Sequence, residues 1–109
     1  MPHDARIYAD YGLVLAYLGQ KEDAIKAGKM ATSLIPVEKD AIIGPTHFIT
    51  LTKILCILGE SDQAIENLQY LRSIPGGIHL KILDRDPVWD PLRNNTRFEA
   101  LLIDQKEKA

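Results

Sequence analysis

Large apolar residues recur at helical spacing near the start of the chain. In residues 4–18, steps of one, three and four residues separate them, which predicts one inward stripe on a first α-helix. Asp4 is the predicted N-cap of this helix, and Gly19 is its predicted end because glycine readily adopts the left-handed conformation that follows many helices. The predicted stripe consists of Ile7, Tyr8, Tyr11, Val14, Leu15 and Leu18.

The same spacing predicts a second and a third helix. The second covers residues 22–34, and Gly28 in its middle indicates that another helix packs closely against it. The third helix begins near Pro45, whose missing N–H costs nothing in a first turn, and it ends at Gly59. The predicted inward residues are Ala24, Ile25, Ala31 and Leu34 in the second helix, and Phe48, Leu51, Leu55 and Leu58 in the third.

A fourth helix completes a repeated phrase in the sequence. Residues 17–25 read YLGQKEDAI and residues 57–65 read ILGESDQAI, a spacing of 40 residues. Each phrase predicts two helices joined by a glycine turn, with a small alanine where the helices cross. The fourth helix has Ser61 as its predicted cap and Pro75 as its predicted stop. Its predicted inward residues are Ala64, Ile65, Leu68 and Leu71.

The repeated hairpin resembles the tetratricopeptide repeat, a helical hairpin of about 34 residues that stacks into solenoids. Registered on Ala24 and Ala64, the two copies match the family pattern at several further positions. They depart from it at Gly28, where the family has a large aromatic residue, at Leu71, which replaces a small residue, and at Pro75, which comes one place early. The matching positions are Tyr8, Tyr11, Gly12, Leu15, Ala31 and Pro36, then Phe48, Leu51, Thr52 and Leu55.

This resemblance implies an all-α fold, a right-handed superhelix of two helical hairpins with a C-terminal capping segment. In one domain of 109 residues, repeat one is expected at 5–36, an insertion at 37–44, repeat two at 45–76 and the cap at 78–103. The segments LIPVEKDAIIGP, LGESDQAIENLQYLRSIP and LDRDPVWDPLRNNTRFEALL further resemble the C-terminal part of bacterial multidomain signalling or regulatory proteins. Thr96 departs from these relatives, which often have proline there.

The tail is predicted to cover the end of the second hairpin. A short helix at its start should pack on the fourth helix through Ile78, Ile82 and Leu83. The Asp-Pro pairs at 86–87 and 90–91 should enforce turns, because the residue before proline avoids the helical conformation. A last helix is expected from Thr96, in a capping box with Glu99. The predicted inward residues after the turns are Trp89, Leu92, Phe98, Leu101 and Leu102.

Composition and charge exclude several functional classes. The net charge is −2 and no basic run occurs, so this segment is not expected to bind nucleic acid. The longest apolar run, residues 54–58, is far too short to span a membrane, and the N-terminus lacks the apolar core of a signal peptide. Cys56 is the single cysteine, which favours a reducing compartment, and a cytoplasmic location is expected.

No residue pattern predicts a catalytic, metal or cofactor site. Asp84, Asp86 and Asp90 lack the later ligands and the glycine of a calcium loop, and the three histidines have no metal-ligand spacing. Cys56 has no sequence signature of an activating base. A non-enzymatic protein without cofactors or metals is therefore expected.

The tetratricopeptide register also implies a concave face that binds extended peptides or a partner helix in related proteins. Of the lysine–asparagine clamp with which a chaperone-binding relative holds a terminal carboxylate, only Lys53 has a counterpart, so that function is not expected. The interpretations left open are a mixed apolar groove, plain solvent surface, or part of the stacking contact between hairpins. The candidate partner-binding residues are Arg6, Asp10, Leu13, Tyr17, Thr46, Ile49, Lys53 and Ile57, with Ala9 and Cys56 at comparable places.

The expected function is non-catalytic protein–protein interaction, with a protein or peptide as partner. The alternative is self-assembly into a homodimer, because the first helix is apolar on more than one side and Leu13 and Tyr17 lie outside its predicted stripe. The sequence identifies neither the partner nor the pathway.

Overall fold

The regular elements of the chain are all helical. The computed structural model describes residues 4–74 and 76–108, apart from the side chains of Leu80 and of residues 104–108, and no strand occurs among the described residues. The all-α prediction is confirmed, while Pro75 lies outside the described residues. The elements are α1 (Ala5–Tyr17), α2 (Lys21–Leu34), α3 (Gly44–Ile57), α4 (Ser61–Ser73), α5 (Leu80–Arg85), a 3₁₀ helix (Pro87–Leu92) and α6 (Thr96–Lys108).

Two matching turns connect α1 to α2 and α3 to α4. Gly19 and Gly59 have φ angles of 78° and 83°, which side chains with a Cβ rarely tolerate. In each turn the glycine N–H donates to the carbonyl three residues earlier, and the next N–H donates to the carbonyl five residues earlier, at 2.9–3.1 Å. This is the Schellman motif, so the predicted ends of both helices are confirmed. An ion pair of 2.9 Å between Lys21 Nζ and Glu60 Oε2 joins the two turns.

The helix starts agree with the sequence in part. Asp4 caps α1 as predicted, since its Oδ1 accepts the Arg6 N–H at 2.9 Å. The predicted Ser61 cap is wrong: Ser61 is the first residue of α4 and has no capping bond. The predicted Thr96 cap is also wrong, because Asn95 Oδ1 accepts the Arg97 N–H at 2.8 Å. Asparagine is at least as good an N-cap as threonine, so the helix begins one residue after it.

Three helices meet where the sequence has glycine and alanine. α3 packs against both α1 and α2, and Gly12 and Gly28 face it at the crossing. A Cβ added to Gly12 would lie 3.0 Å from the Ala24 carbonyl oxygen, and one added to Gly28 would lie 2.9 Å from Leu51 Cδ1. Ala24 is fully buried, as is Ala64 in the second hairpin. The predicted close packing at these positions is confirmed.

The predicted inward stripe of α1 is largely wrong. Its buried residues are Ala5, Ala9, Gly12, Leu15 and Ala16. Most of the large apolar residues of α1 instead lie on the opposite side, because the crossing with α2 and α3 has room only for small side chains. The exposed residues of the predicted stripe are Ile7, Tyr11, Val14 and Leu18.

The largest core lies between α3, α4 and the tail. The predicted inward residues of α4 are all fully buried, and Leu101 and Leu102 pack against this core while partly exposed. Ile82 is exposed, contrary to prediction, because the six-residue α5 turns Leu83 inward instead. Among the tail side chains that the structure describes, five are buried: Ile78, Leu83, Trp89, Leu92 and Phe98.

Arg93 holds the segments of the tail together. Its guanidinium donates to the carbonyl oxygens of Leu83 and Asp86 at 3.2 and 3.0 Å, and its Nε donates to Asp90 Oδ1 at 2.8 Å. Asp86 is the N-cap of the 3₁₀ helix, as expected of an Asp-Pro turn, and its Oδ1 accepts the Val88 N–H at 3.1 Å. The predicted second turn is wrong, because Asp90 and Pro91 lie inside that helix.

Enlarging either crossing alanine should destabilise the fold. We expect Ala24→Leu and Ala64→Leu each to lower the free energy of unfolding by roughly 1–3 kcal/mol, because no space exists for the added atoms. Ala100→Leu, at an exposed position of α6, is the matched control and should have little effect. Chemical denaturation followed by circular dichroism measures the change, and unchanged midpoints in both variants would show that the crossings are placed wrongly.

Candidate interaction surface

The four candidate residues on α1 follow one side of that helix. Arg6, Asp10 and Tyr17 are exposed, and Tyr17 retains 68 % of its accessible surface. Leu13 is partly buried and packs on the core below. Ala9, which the sequence placed at a comparable position, is buried against the neighbouring helices, so it is not available to a partner.

The four candidate residues on α3 lie mostly deeper. Thr46 is exposed, whereas Ile49, Lys53 and Ile57 are partly buried. Ile57 packs against the same buried cluster as Leu13, so both predicted residues border one part of the core. The eight candidate residues of the two helices are called the α1/α3 face below.

The tail covers part of the α1/α3 face. The 3₁₀ helix packs against α3, and the Cys56 thiol donates to the Val88 carbonyl oxygen at 3.2 Å. Cys56 is therefore buried and cannot contact a partner. Lys53 Nζ lies 3.9 Å from Asp86 Oδ2, a long ion pair that joins α3 to the tail. The open part of the face is the α1 side, around Tyr17.

A second surface was missed by the sequence reasoning, which placed its residues in the core. Ile7, Tyr11, Val14 and Leu18 keep 46–67 % of their accessible surface and are called the end stripe below. The small residues Ala5, Ala9, Gly12 and Ala16 recur at steps of four, three and four, and this pattern could have identified the inward face.

A groove of about 290 Å³ runs beside the end stripe, between α1 and α2. Its rim carries one carboxylate and one ammonium group three residues apart, from Asp23 and Lys26. Apolar and aromatic side chains form the rest of the lining. The lining residues are Tyr8, Tyr11, Asp23, Lys26, Ala27 and Met30.

The aspartate and histidine residues considered above as possible metal ligands do not gather at a metal site in the described part of the chain. Asp86 and Asp90 form hydrogen bonds or ion pairs within the tail, and His47, on α3, is buried. Within the described ranges, no group of three or more histidine, cysteine or acidic side chains is placed to hold a metal ion. None of the helices described here is long and apolar enough to cross a membrane.

Burial suppresses the reactivity of Cys56. Desolvation, helped by the negative charge of Asp90, raises the pKa of the thiol from 9.0 to about 11. The thiolate is the nucleophilic form, so this thiol is almost entirely inactive near neutral pH. The geometry therefore agrees with a structural role, in which the thiol donates to the backbone of the 3₁₀ helix.

The single thiol provides a direct test of this environment. We expect a disulfide-forming thiol reagent to modify the native chain at least roughly 100-fold more slowly than the unfolded chain. Fast, stoichiometric modification of the folded protein would contradict the described burial.

Alkaline pH tests the same thiol through stability. The pKa of the Cys56 thiol is higher in the folded chain than its unfolded value of 9.0, so the neutral thiol favours the folded state. This contribution to the free energy of unfolding is complete below pH 9.0 and is lost as the pH rises towards 11. The denaturation midpoint of the Cys56→Ala variant should consequently fall less over this window than that of the unaltered protein. Equal slopes for the two proteins would argue against a raised pKa.

Three comparisons with known proteins complete this description. A scan against protein-family models, a search of curated proteins and a search of solved structures each gave no match to this chain.

Proposed function

We propose that the chain is a tetratricopeptide-like, non-catalytic protein-interaction module, with two hairpins wound as a right-handed superhelix and a C-terminal cap. The two Schellman turns and the buried alanine that follows each of them support this proposal. The packing of α3 against both helices of the first hairpin agrees with the stacking of such repeats.

The proposed interaction function rests on the α1/α3 face. Leu13 and Ile57 are both partly buried and pack against one apolar cluster between the helices. Tyr17 lies one helical turn after Leu13 and keeps most of its surface in solvent, and tyrosine is enriched at protein interfaces because it offers a large apolar ring with a polar end. Arg6 and Asp10 add a donor and an acceptor on the same side of α1. Such a face suits an extended peptide or a short partner helix.

The setting of the module is proposed from sequence resemblance alone. The insertion, the second hairpin and the tail resemble the C-terminal part of bacterial multidomain signalling or regulatory proteins. On that basis we propose that this chain acts as the interaction part of such a protein in the cytoplasm, binding a protein or peptide and requiring no cofactor.

Self-assembly is the second candidate function. The end stripe favours it, because four large apolar side chains lie together in solvent on one side of α1. The two functions use different sides of the same helix, so they are separable by mutation.

A matched pair of tyrosine variants tests the first function. The full-length protein would be captured from its source cells under conditions that preserve complexes, and the co-purifying proteins would be quantified by mass spectrometry. We expect Tyr17→Ala to reduce recovery of the specific partner by roughly 10-fold or more, as for an aromatic residue central to an interface.

Tyr70→Ala is the control, because it makes the same change at an exposed position of α4, outside both the α1/α3 face and the end stripe. Recovery of the partner with this variant should match that of the unaltered protein. If no co-purifying protein depends on Tyr17, or if Tyr70→Ala gives the same loss, the α1/α3 face is not the binding site.

A further inference from the structure

The spacing of the end stripe is that of a coiled-coil seam. Ile7, Tyr11, Val14 and Leu18 are separated by steps of four, three and four residues, which are the a and d positions of a heptad. The small residues that face α2 and α3 lie on the opposite side of α1. The helix therefore offers a second packing surface on the side away from its own core.

We propose that the end stripe pairs with the end stripe of a second copy of this chain, as an antiparallel two-fold dimer. In this arrangement Ile7 of one copy packs opposite Leu18 of the other, and Tyr11 packs opposite Val14. Each large side chain then has a complementary neighbour, and every contact occurs twice because of the two-fold symmetry. The inference rests on the self-assembly candidate, and Arg6 is the one residue of the α1/α3 face on which it draws.

Charge favours the antiparallel direction. The last turn of α1 has no basic residue to offset the partial negative charge at the C-terminal end of the helix dipole. Antiparallel pairing brings Arg6 of one copy, near the start of α1, towards the C-terminal end of α1 in the other copy. A parallel pair would place like ends of the two helices together.

The groove beside the end stripe is also self-complementary. Asp23 and Lys26 lie on the same face of α2, one helical turn apart, at the rim of the groove. In a two-fold antiparallel helix pair, each flank of one helix lies beside the same flank of the other. Since α2 follows one flank of α1, the two copies of α2 lie on the same side of the seam. Two-fold symmetry can then place Asp23 of each copy near Lys26 of the other.

The available area suits a weak dimer. Complete burial of the four end-stripe residues would remove roughly 450 Å² per copy, or roughly 900 Å² in total, slightly less than the ~1,000 Å² that a specific interface should reach. Tyr8 and Met30 line the adjoining groove and would add to this area where the two copies of α2 approach. The area lies near the lower limit, so a dimer that dissociates on dilution is expected.

The first experiment measures mass in solution over a roughly hundredfold dilution series of the purified chain, by sedimentation or light scattering. We expect a dimer that dissociates to a monomer on dilution. Val14→Glu should weaken dimerisation by roughly 100-fold or more, because it places two carboxylates in the apolar seam. Ile103→Glu makes the equivalent change at an exposed apolar position of α6 and should leave the dimer unchanged.

The second experiment tests orientation. Chains carrying Ile7→Cys and chains carrying Leu18→Cys, distinguished by mass, would be mixed and oxidised mildly. Antiparallel pairing predicts that the mixed disulfide dominates, whereas parallel pairing predicts disulfides between like chains. The unaltered protein, whose Cys56 is buried, is the control and should form no intermolecular disulfide.

Several outcomes would overturn the proposal. A monomer at every concentration would show that a second copy does not cover the end stripe, and a dimer that survives Val14→Glu would show that the copies meet elsewhere. Disulfides between like chains would exclude the antiparallel register. Because Tyr17 lies outside the end stripe, loss of dimerisation here and loss of partner capture in Tyr17→Ala are distinguishable failures.

Discussion

The close approach of α1, α2 and α3 is the constraint on which the other features of the fold depend. At the crossing, Gly12 lies so near Ala24 and Ile54 that even a methyl group would be in tight contact with a backbone oxygen. Backbones at this separation gain dispersion energy along their whole length of contact. The arrangement in turn determines which side of each helix remains free, and therefore which surfaces are available to other molecules.

This constraint also explains where reasoning from sequence failed. Periodicity alone treats large apolar residues as inward-facing, and α1 has them at helical spacing on the side away from the core. The small residues of α1 have an equally regular spacing, but each is only modestly hydrophobic. Hydrophobic periodicity therefore did not predict that Ala5 and Ala16 face the core. Which of two periodic faces is buried depends on the neighbouring helix, and that information lies elsewhere in the chain.

Features decided by local chemistry were predicted well. Gly19 and Gly59 end their helices because the left-handed conformation strongly favours glycine. On α4, the large apolar residues form one main face, so the side that packs on the core was easy to predict. The start of α6 was placed one residue from its true cap, because Asn95 and Thr96 are both acceptable at that position. On the candidate face, Leu13 and Ile57 border the same buried cluster. The cover over Cys56 depends on how the tail folds back, which no local pattern specifies.

The burial of Trp89 gives the molecule an internal optical probe. It is the single tryptophan of the chain, it belongs to the tail and is fully buried, and its indole N–H has no hydrogen-bond partner in the described part of the structure. An indole in such dry surroundings emits at shorter wavelength than one in water. Fluorescence therefore reports the docking of the last segment, while circular dichroism reports the helices as a whole. Comparison of the two signals separates detachment of the tail from global unfolding without any added label.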